Sequence, residues 1–244
     1  MAGVENDDFV LSYLDAEGVD QREPLSTGWT AAFESVRPVR QFGSHAGQRH
    51  YPGLWWFATT GAHVGYESWL ERDRIMAFDF DPEVLSLASQ PFWLSWPEGR
   101  HAPDFFARLA GGKGRLIDVR ADNRVGDADA ERFAQTARAC SLIGWEYLRV
   151  GALGEVFGAN LRWLAGYRHP RCLDPEVARR LCATDGPVGL YELADGLGRR
   201  MQVLPTLFHL LWTGVFAADL ETELLSASTI VLQTGVADER RAAG

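Results

Sequence analysis

His101-Ala102-Pro103-Asp104-Phe105-Phe106-Ala107-Arg108-Leu109, then Gly111-Gly112-Lys113-Gly114, then Leu116-Ile117-Asp118-Val119-Arg120: two short apolar runs flank a glycine-rich turn. That pattern predicts a β-hairpin. Residues two apart on a strand share a face, so Asp118 and Arg120 point one way and Ile117 and Val119 the other. Asp104 opens the first strand and the Asp118-Val119-Arg120 triplet closes the second, fourteen residues later. Two carboxylates and a guanidinium at one end of a hairpin form a donor set for a divalent metal and a phosphate. The same residues also suit a plain hairpin with two solvated Asp and a surface Arg. The glycine turn is no phosphate loop, because no helix and no Lys-Ser/Thr ending follow it.

The totals set bounds on what the chain can be. Its 244 residues predict one medium domain plus a small one, and 46% apolar residues with nine Trp are ample for a packed core. No apolar run is long enough to span a bilayer, and the acidic start from Met1 to Asp8 lacks a signal-peptide pattern. Cys140, Cys172 and Cys182 are odd in number and fit no metal spacing, so reduced thiols and a cytoplasmic location are expected. Lys113 is the one Lys against 23 Arg. A net charge of −9 argues against a protein that coats nucleic acid unaided. It leaves room for a nuclease, whose metal neutralises its own carboxylates.

Outward from the hairpin, residues 1–50 read as an arm of irregular or edge structure. Leu54 to Thr60 reads as a strand, and Tyr66 to Phe80 as a helix with Tyr66, Trp69, Leu70, Ile75, Met76 and Phe78 on its apolar stripe. Val84 to Ser89 and Pro91 to Trp96 read as extended pieces. Asp127 to Ile143 is a helix stopped by Gly144, Trp145 to Val150 a strand, and Glu155 to Tyr167 a helix. The expected fold is α/β, a mixed sheet flanked by helices. From Arg171 onward the pattern changes to helices at Asp174 to Arg180, Gly189 to Leu197 and Arg199 to Trp212. Two β-like pieces follow, Val215 to Leu220 and Ser228 to Leu232. Three helices and a hairpin suggest a winged helix, with a generic helical tail as the alternative. Residues 236–244 are expected to be a disordered end.

Glu71 falls in line with Ile75 and Phe78 on the helix, where a carboxylate is costly unless paired or metal-bound. A surface Glu paired with Arg74 is the alternative, and Glu67 competes for the role. Glu71, then Phe78-Asp79-Phe80-Asp81-Pro82-Glu83-Val84, then Gln90-Pro91-Phe92, then Pro103-Asp104-Phe105, then Asp118-Val119-Arg120 together resemble the TnsA-like family. These are endonuclease subunits of heteromeric transposases. The match covers residues 51–170, and the tail shares Leu207-Phe208-His209-Leu210-Leu211-Trp212 and Ala218-Asp219-Leu220. The resemblance implies a restriction-endonuclease-like PD-(D/E)xK core at 51–170 and a winged-helix domain at 171–235. It further implies that Glu71, Asp104 and Asp118 hold Mg²⁺, with Mn²⁺ as a substitute, for hydrolysis at the 5′ ends of a mobile element. The implied partners are DNA, a DDE-type transposase subunit and an AAA+ ATPase regulator, with no membrane.

Arg120 stands where the family usually has Lys, and Asp118 where Glu or Gln is frequent. Arg keeps its proton and so cannot be a general base, although it can stabilise charge on phosphate or orient a water. An impaired pseudonuclease that bridges transposase, ATPase and DNA is therefore a second reading, and a stand-alone restriction or repair nuclease a third. Arg162, Arg168, Arg171, Arg199 and Arg200 are candidate DNA contacts, with ordinary surface Arg as the alternative. Residues 199–212 suit either a recognition helix or, being largely apolar, a protein-docking helix. His101 near Asp104 reads as a structural hydrogen-bond partner rather than a phosphate or metal-water contact. His45, His50 and His63 are scattered. Trp55 and Trp56 read as core residues rather than base-stacking ones.

Overall fold

The computed structural model describes residues 8–40 and 52–234. The expected disordered end at 236–244, and the part of the N-terminal arm that carries His45, Arg49 and His50, lie outside the described residues. The chain is mixed α/β and divides into two compact units. One comprises Met1–Phe57, Ala62–Phe78 and Glu83–Ala152, and the other Ala58–Gly61, Asp79–Pro82 and Leu153–Gly244.

The first unit opens with β1 (Val10–Leu14) and β2 (Asp20–Pro24), followed by the short helix α1 (Leu25–Gly28). The hairpin β3 (Gly53–Phe57) and β4 (Ala62–Tyr66) leads to α2 (Trp69–Phe80). Then come β5 (Val84–Ser89), β6 (Trp93–Trp96), β7 (Gly99–His101), β8 (Phe105–Leu109), β9 (Gly114–Val119), α3 (Asp127–Ile143) and β10 (Glu146–Val150). One sheet runs β2-β1-β6-β7 and another β10-β9-β8-β5, beside the β3-β4 pair. In the second sheet β9 pairs antiparallel with β8 and parallel with β10, so the expected mixed sheet is present.

The β8–β9 hairpin forms where it was expected, with Phe105 opposite Ile117 and Arg108 opposite Gly114. Period-two alternation gives it two apolar faces. Phe105, Ala107, Leu109, Ile117 and Val119 pack in one core with Ile75 and Phe78 of α2. Phe106 and Leu116 pack in the other, with Phe9, Leu11 and Trp145. Gly112 turns the chain at φ +79, a conformation that suits glycine. Gly144 ends α3 in the left-handed conformation, as its position predicts.

Two expectations are corrected. The arm, read as irregular or edge structure, does hold an edge strand in β2, but β1 lies inside the sheet and pairs antiparallel with β6, with Leu11 and Tyr13 inward and Phe9 buried just before it. Tyr66 belongs to β4, not to the helix, which starts at Trp69 behind Ser68. The Ser68 hydroxyl accepts the Glu71 N–H at 3.2 Å, an N-cap that fixes this start.

The second unit contains α4 (Glu155–Leu164), α5 (Pro175–Leu181), β11 (Val188–Gly189), α6 (Leu190–Leu197), α7 (Arg200–Trp212), β12 (Phe216–Ala217) and β13 (Ile230–Gln233). Its strands order β11-β13-β12. Asp174 caps α5 by accepting the Glu176 and Val177 N–H groups. Asn160 secures the segment between β12 and β13 by donating to the Leu220 and Glu223 carbonyls and accepting the Leu225 N–H. The second β-like piece matches β13, while the first shortens to two residues. α7 buries Val203 and every residue from Thr206 to Trp212 within its unit. Most of its apolar side chains are spent on this core, while Met201 at its start is exposed.

Gly114 is the tightest point of the hairpin, since a Cβ there would stand 2.7 Å from the Trp145 ring and 2.8 Å from the Phe106 ring. We predict that Gly114→Ala lowers unfolding stability by about 1–3 kcal/mol. Urea melts of the two proteins check this, and equal midpoints would disprove the constraint.

Candidate active site

Asp104 immediately precedes β8, and its Oδ2 accepts the backbone N–H of Val119 at 2.7 Å. This single bond ties the start of one strand to the end of its neighbour. The Asp104 carbonyl in turn accepts the N–H of Gln90 at 2.8 Å. Gln90 sits at φ +46, the one non-glycine residue with positive φ among the described residues, and its Oε1 is buried with no hydrogen-bond partner. The Gln-Pro element singled out in the sequence is thus a strained brace behind Asp104.

Asp118 lies on the β9 face opposite Ile117 and Val119, as period two requires, and only 2% of it is exposed. A carboxylate this deep needs partners. His101 Nε2 stands 2.8 Å from Oδ1, and the Tyr147 hydroxyl donates to Oδ2 at 2.8 Å. Phe133 abuts the imidazole, with ring centroids 6.0 Å apart. The structural hydrogen bond expected of His101 is made, and Asp118 receives it. Tyr147 was not foreseen. It comes from β10, whose register sets Tyr147 beside Leu116 and so diagonal to Asp118.

Glu71, the third residue of α2, turns its carboxylate back over the start of the helix. Its Oε1 accepts the Ser68 hydroxyl and its Oε2 the Glu67 N–H, each at 2.8 Å. The alternative partner Arg74 donates instead to the Gly151 and Ala152 carbonyls. Glu67 stands 3.5 Å from Arg40.

Electrostatics links the three acids. Burial pushes the Asp104 carboxyl well above the ordinary carboxylate range, and the negative charges of Asp118 and Glu71 push it further; the Val119 N–H opposes them. Burial also raises Glu71, against the hydrogen bonds from Glu67 and Ser68. Burial and the neighbouring Asp118 hold the Tyr147 hydroxyl protonated, as its donor role needs.

All three acids line an open cleft of about 1340 Å³, together with Arg40, Arg100, Arg120, Arg124 and Arg132. Arg120 follows β9 on the Asp118 side, but its guanidinium turns to Asp129 at 3.0 Å and to the Arg124 carbonyl at 3.2 Å. Trp69, read as part of the apolar stripe, is half exposed on the cleft wall.

The donor chemistry suits a hard divalent cation, with carboxylate oxygens and excess negative charge at one place. Among the described residues, however, no three His, Cys, Asp or Glu side chains are gathered to hold a metal ion. Asp104 and Asp118 are the two acids at the hairpin end, and Mg²⁺ is commonly held by one or two carboxylates, with water and substrate phosphate completing its shell.

Of the Arg residues read as DNA contacts, Arg162, Arg171 and Arg199 are exposed. Arg200 is bound to Asp195 at 2.9 Å and lies over the Tyr191 ring. Arg168 is half-buried and donates to the Ala165 carbonyl, and burial lowers its basicity. Among the described residues no helix is long and apolar enough to cross a membrane. In comparisons with known proteins, no family model matches the chain and no curated protein matches it in sequence.

Asp104 carries a testable cost. With its folded pKa raised, stability falls as pH climbs from the ordinary carboxylate value through the folded one. Asp104→Asn keeps an acceptor for Val119 without the charge. It should melt higher than the native protein at neutral pH, with the gap closing toward acid pH. A variant that melts lower at neutral pH would show that the charge is not a burden.

Proposed function

We propose that this chain is a metal-dependent DNA endonuclease subunit of the TnsA-like kind, hydrolysing phosphodiester bonds at the 5′ ends of a mobile element. The observation that carries the reading is the convergence of Asp104 and Asp118 at one hairpin end, on an Arg-rimmed cleft, with Glu71 close enough to raise Asp104. The element order α2, β5, β8, β9, α3, β10 supports a restriction-endonuclease-like core. Helices α5, α6 and α7 with strands ordered β11-β13-β12 support a winged helix in the second unit.

Each residue then has a role. Asp104 and Asp118 would hold Mg²⁺ or Mn²⁺, which when bound supplies an acidified water and polarises the scissile phosphate. The Val119 N–H orients Asp104, while His101 and Tyr147 orient Asp118. Glu71 adds negative charge and stands as the third carboxylate, held by Ser68 and Glu67 until a ligand displaces them. Arg120 stays cationic and serves the phosphate rather than a proton transfer. In this reading a DDE-type transposase cuts the other strand, an AAA+ ATPase regulates the pair, and the chain works in the cytoplasm.

One observation favours the scaffold reading. The Arg120 guanidinium is committed to Asp129, and both oxygens of Asp118 are already hydrogen-bonded. Arg120→Lys separates the two readings, because an active native site loses or keeps its rate whereas a decayed one gains cleavage that the native protein lacks. The direct test is nicking of plasmid DNA in Mn²⁺. Native protein should nick it, and Asp104→Ala should reduce the rate by about 10²–10³-fold. Undiminished nicking by that variant would sink the assignment.

A further inference from the structure

We propose that Arg40 is a phosphate-binding residue of the carboxylate site, supplying from the N-terminal arm a cation that the end of β9 holds back. The proposal rests on the endonuclease reading and adds the residue that first meets the scissile phosphate; Arg120 joins it only on leaving Asp129.

Two backbone hydrogen bonds place Arg40. The Asp104 carbonyl accepts the Gln90 N–H at 2.8 Å, and the Gln90 carbonyl accepts the Val39 N–H at 3.0 Å. Arg40 is the next residue, so the arm is tied to the backbone that carries Asp104. Its side chain lines the same cleft as Glu71, Asp104 and Asp118. Burial raises the Asp104 and Glu71 carboxyls, and the charge of Arg40 is among the forces that draw both back down.

Arg40 and Arg120 differ in what they have left to give. The Arg120 guanidinium is bound to Asp129 at 3.0 Å, and its Nε donates to the Arg124 carbonyl at 3.2 Å. Among the described residues Arg40 pairs only with Glu67, at 3.5 Å, the long limit of a hydrogen bond. The Arg40 Nε is buried and has no hydrogen-bond partner among the described residues. A buried N–H without an acceptor is costly, so this pose leaves a donor unmet. The side chain is still 40% exposed. One long contact is thus what restrains an accessible guanidinium from turning to an anion in the cleft. Its fork of donors matches two phosphate oxygens at once, and it stays charged while doing so. The Glu67 carboxylate is a stand-in that a phosphate displaces.

The test is Mn²⁺-dependent nicking of supercoiled plasmid by the full-length protein. Arg40→Gln keeps the length and polarity without the charge. It should lower kcat by about 10²-fold and change KM little, because the contact strengthens as charge builds on the phosphate. Arg40→Lys keeps the charge without the fork and should recover about tenfold of that loss. Free guanidinium should partly restore the Gln variant. The urea midpoints of both variants should match the native one, which a purely structural role would not allow. Native-rate nicking by Arg40→Gln, with Asp104→Ala inactive, overturns the proposal and leaves the endonuclease reading standing. Equal losses in the Gln and Lys variants with lowered midpoints also overturn it, since they assign Arg40 to the fold. A native protein that nicks no plasmid in Mn²⁺ overturns both.

Discussion

The bond from the Val119 N–H to Asp104 is the constraint on which the candidate site depends. Both faces of the β8–β9 hairpin are packed in apolar cores, so a charged group can be accommodated only at its end. Asp104 enters at the start of β8 and Asp118 near the end of β9, and antiparallel pairing brings these two points together whatever else the chain does. The hydrogen bond then fixes Asp104 against the very strand that carries Asp118. Gln90 in its strained conformation, His101 and Tyr147 are braces around that junction.

The braces explain how so much negative charge is tolerated. Asp118 is satisfied by two donors and Glu71 by two more, which leaves Asp104 as the acid most burdened by its neighbours. A fold selected for stability alone would put an amide or an apolar side chain there. Retaining Asp104 and Asp118 at one hairpin end, with Glu71 near enough to raise Asp104 further, costs folding free energy, a pattern common at functional sites. Five Arg residues line the same cleft as these acids.

Much of this was legible in the sequence because it is local. The hairpin, the Gly144 stop, the strand at Val84–Ser89 and the sharing of a face by Asp118 and Arg120 follow from period two and turn chemistry. The β1 strand also carries a period-two signal in Phe9, Leu11 and Tyr13, but an acidic start and nearby Gly and Pro masked it. Tyr66 stands three residues before Trp69, a spacing that imitates a helix, so β4 was absorbed into α2. His101 is readable as a hydrogen-bond partner, but Asp118 as its acceptor is not, because His101 comes from a strand of another sheet, and Tyr147 arrives only through the parallel register of β9 with β10. The commitment of Arg120 to Asp129 likewise depends on where α3 begins, which a face assignment on β9 cannot reveal.

The central claim is that Asp104 and Asp118 form one cation site, and Mn²⁺ titration calorimetry on the native protein and on Asp104→Ala tests it most directly. The account predicts saturable Mn²⁺ binding to the native protein, suppressed by competing Mg²⁺ and absent from the variant. Equal binding by both proteins, or no Mn²⁺ uptake by the native protein with or without DNA, would contradict it.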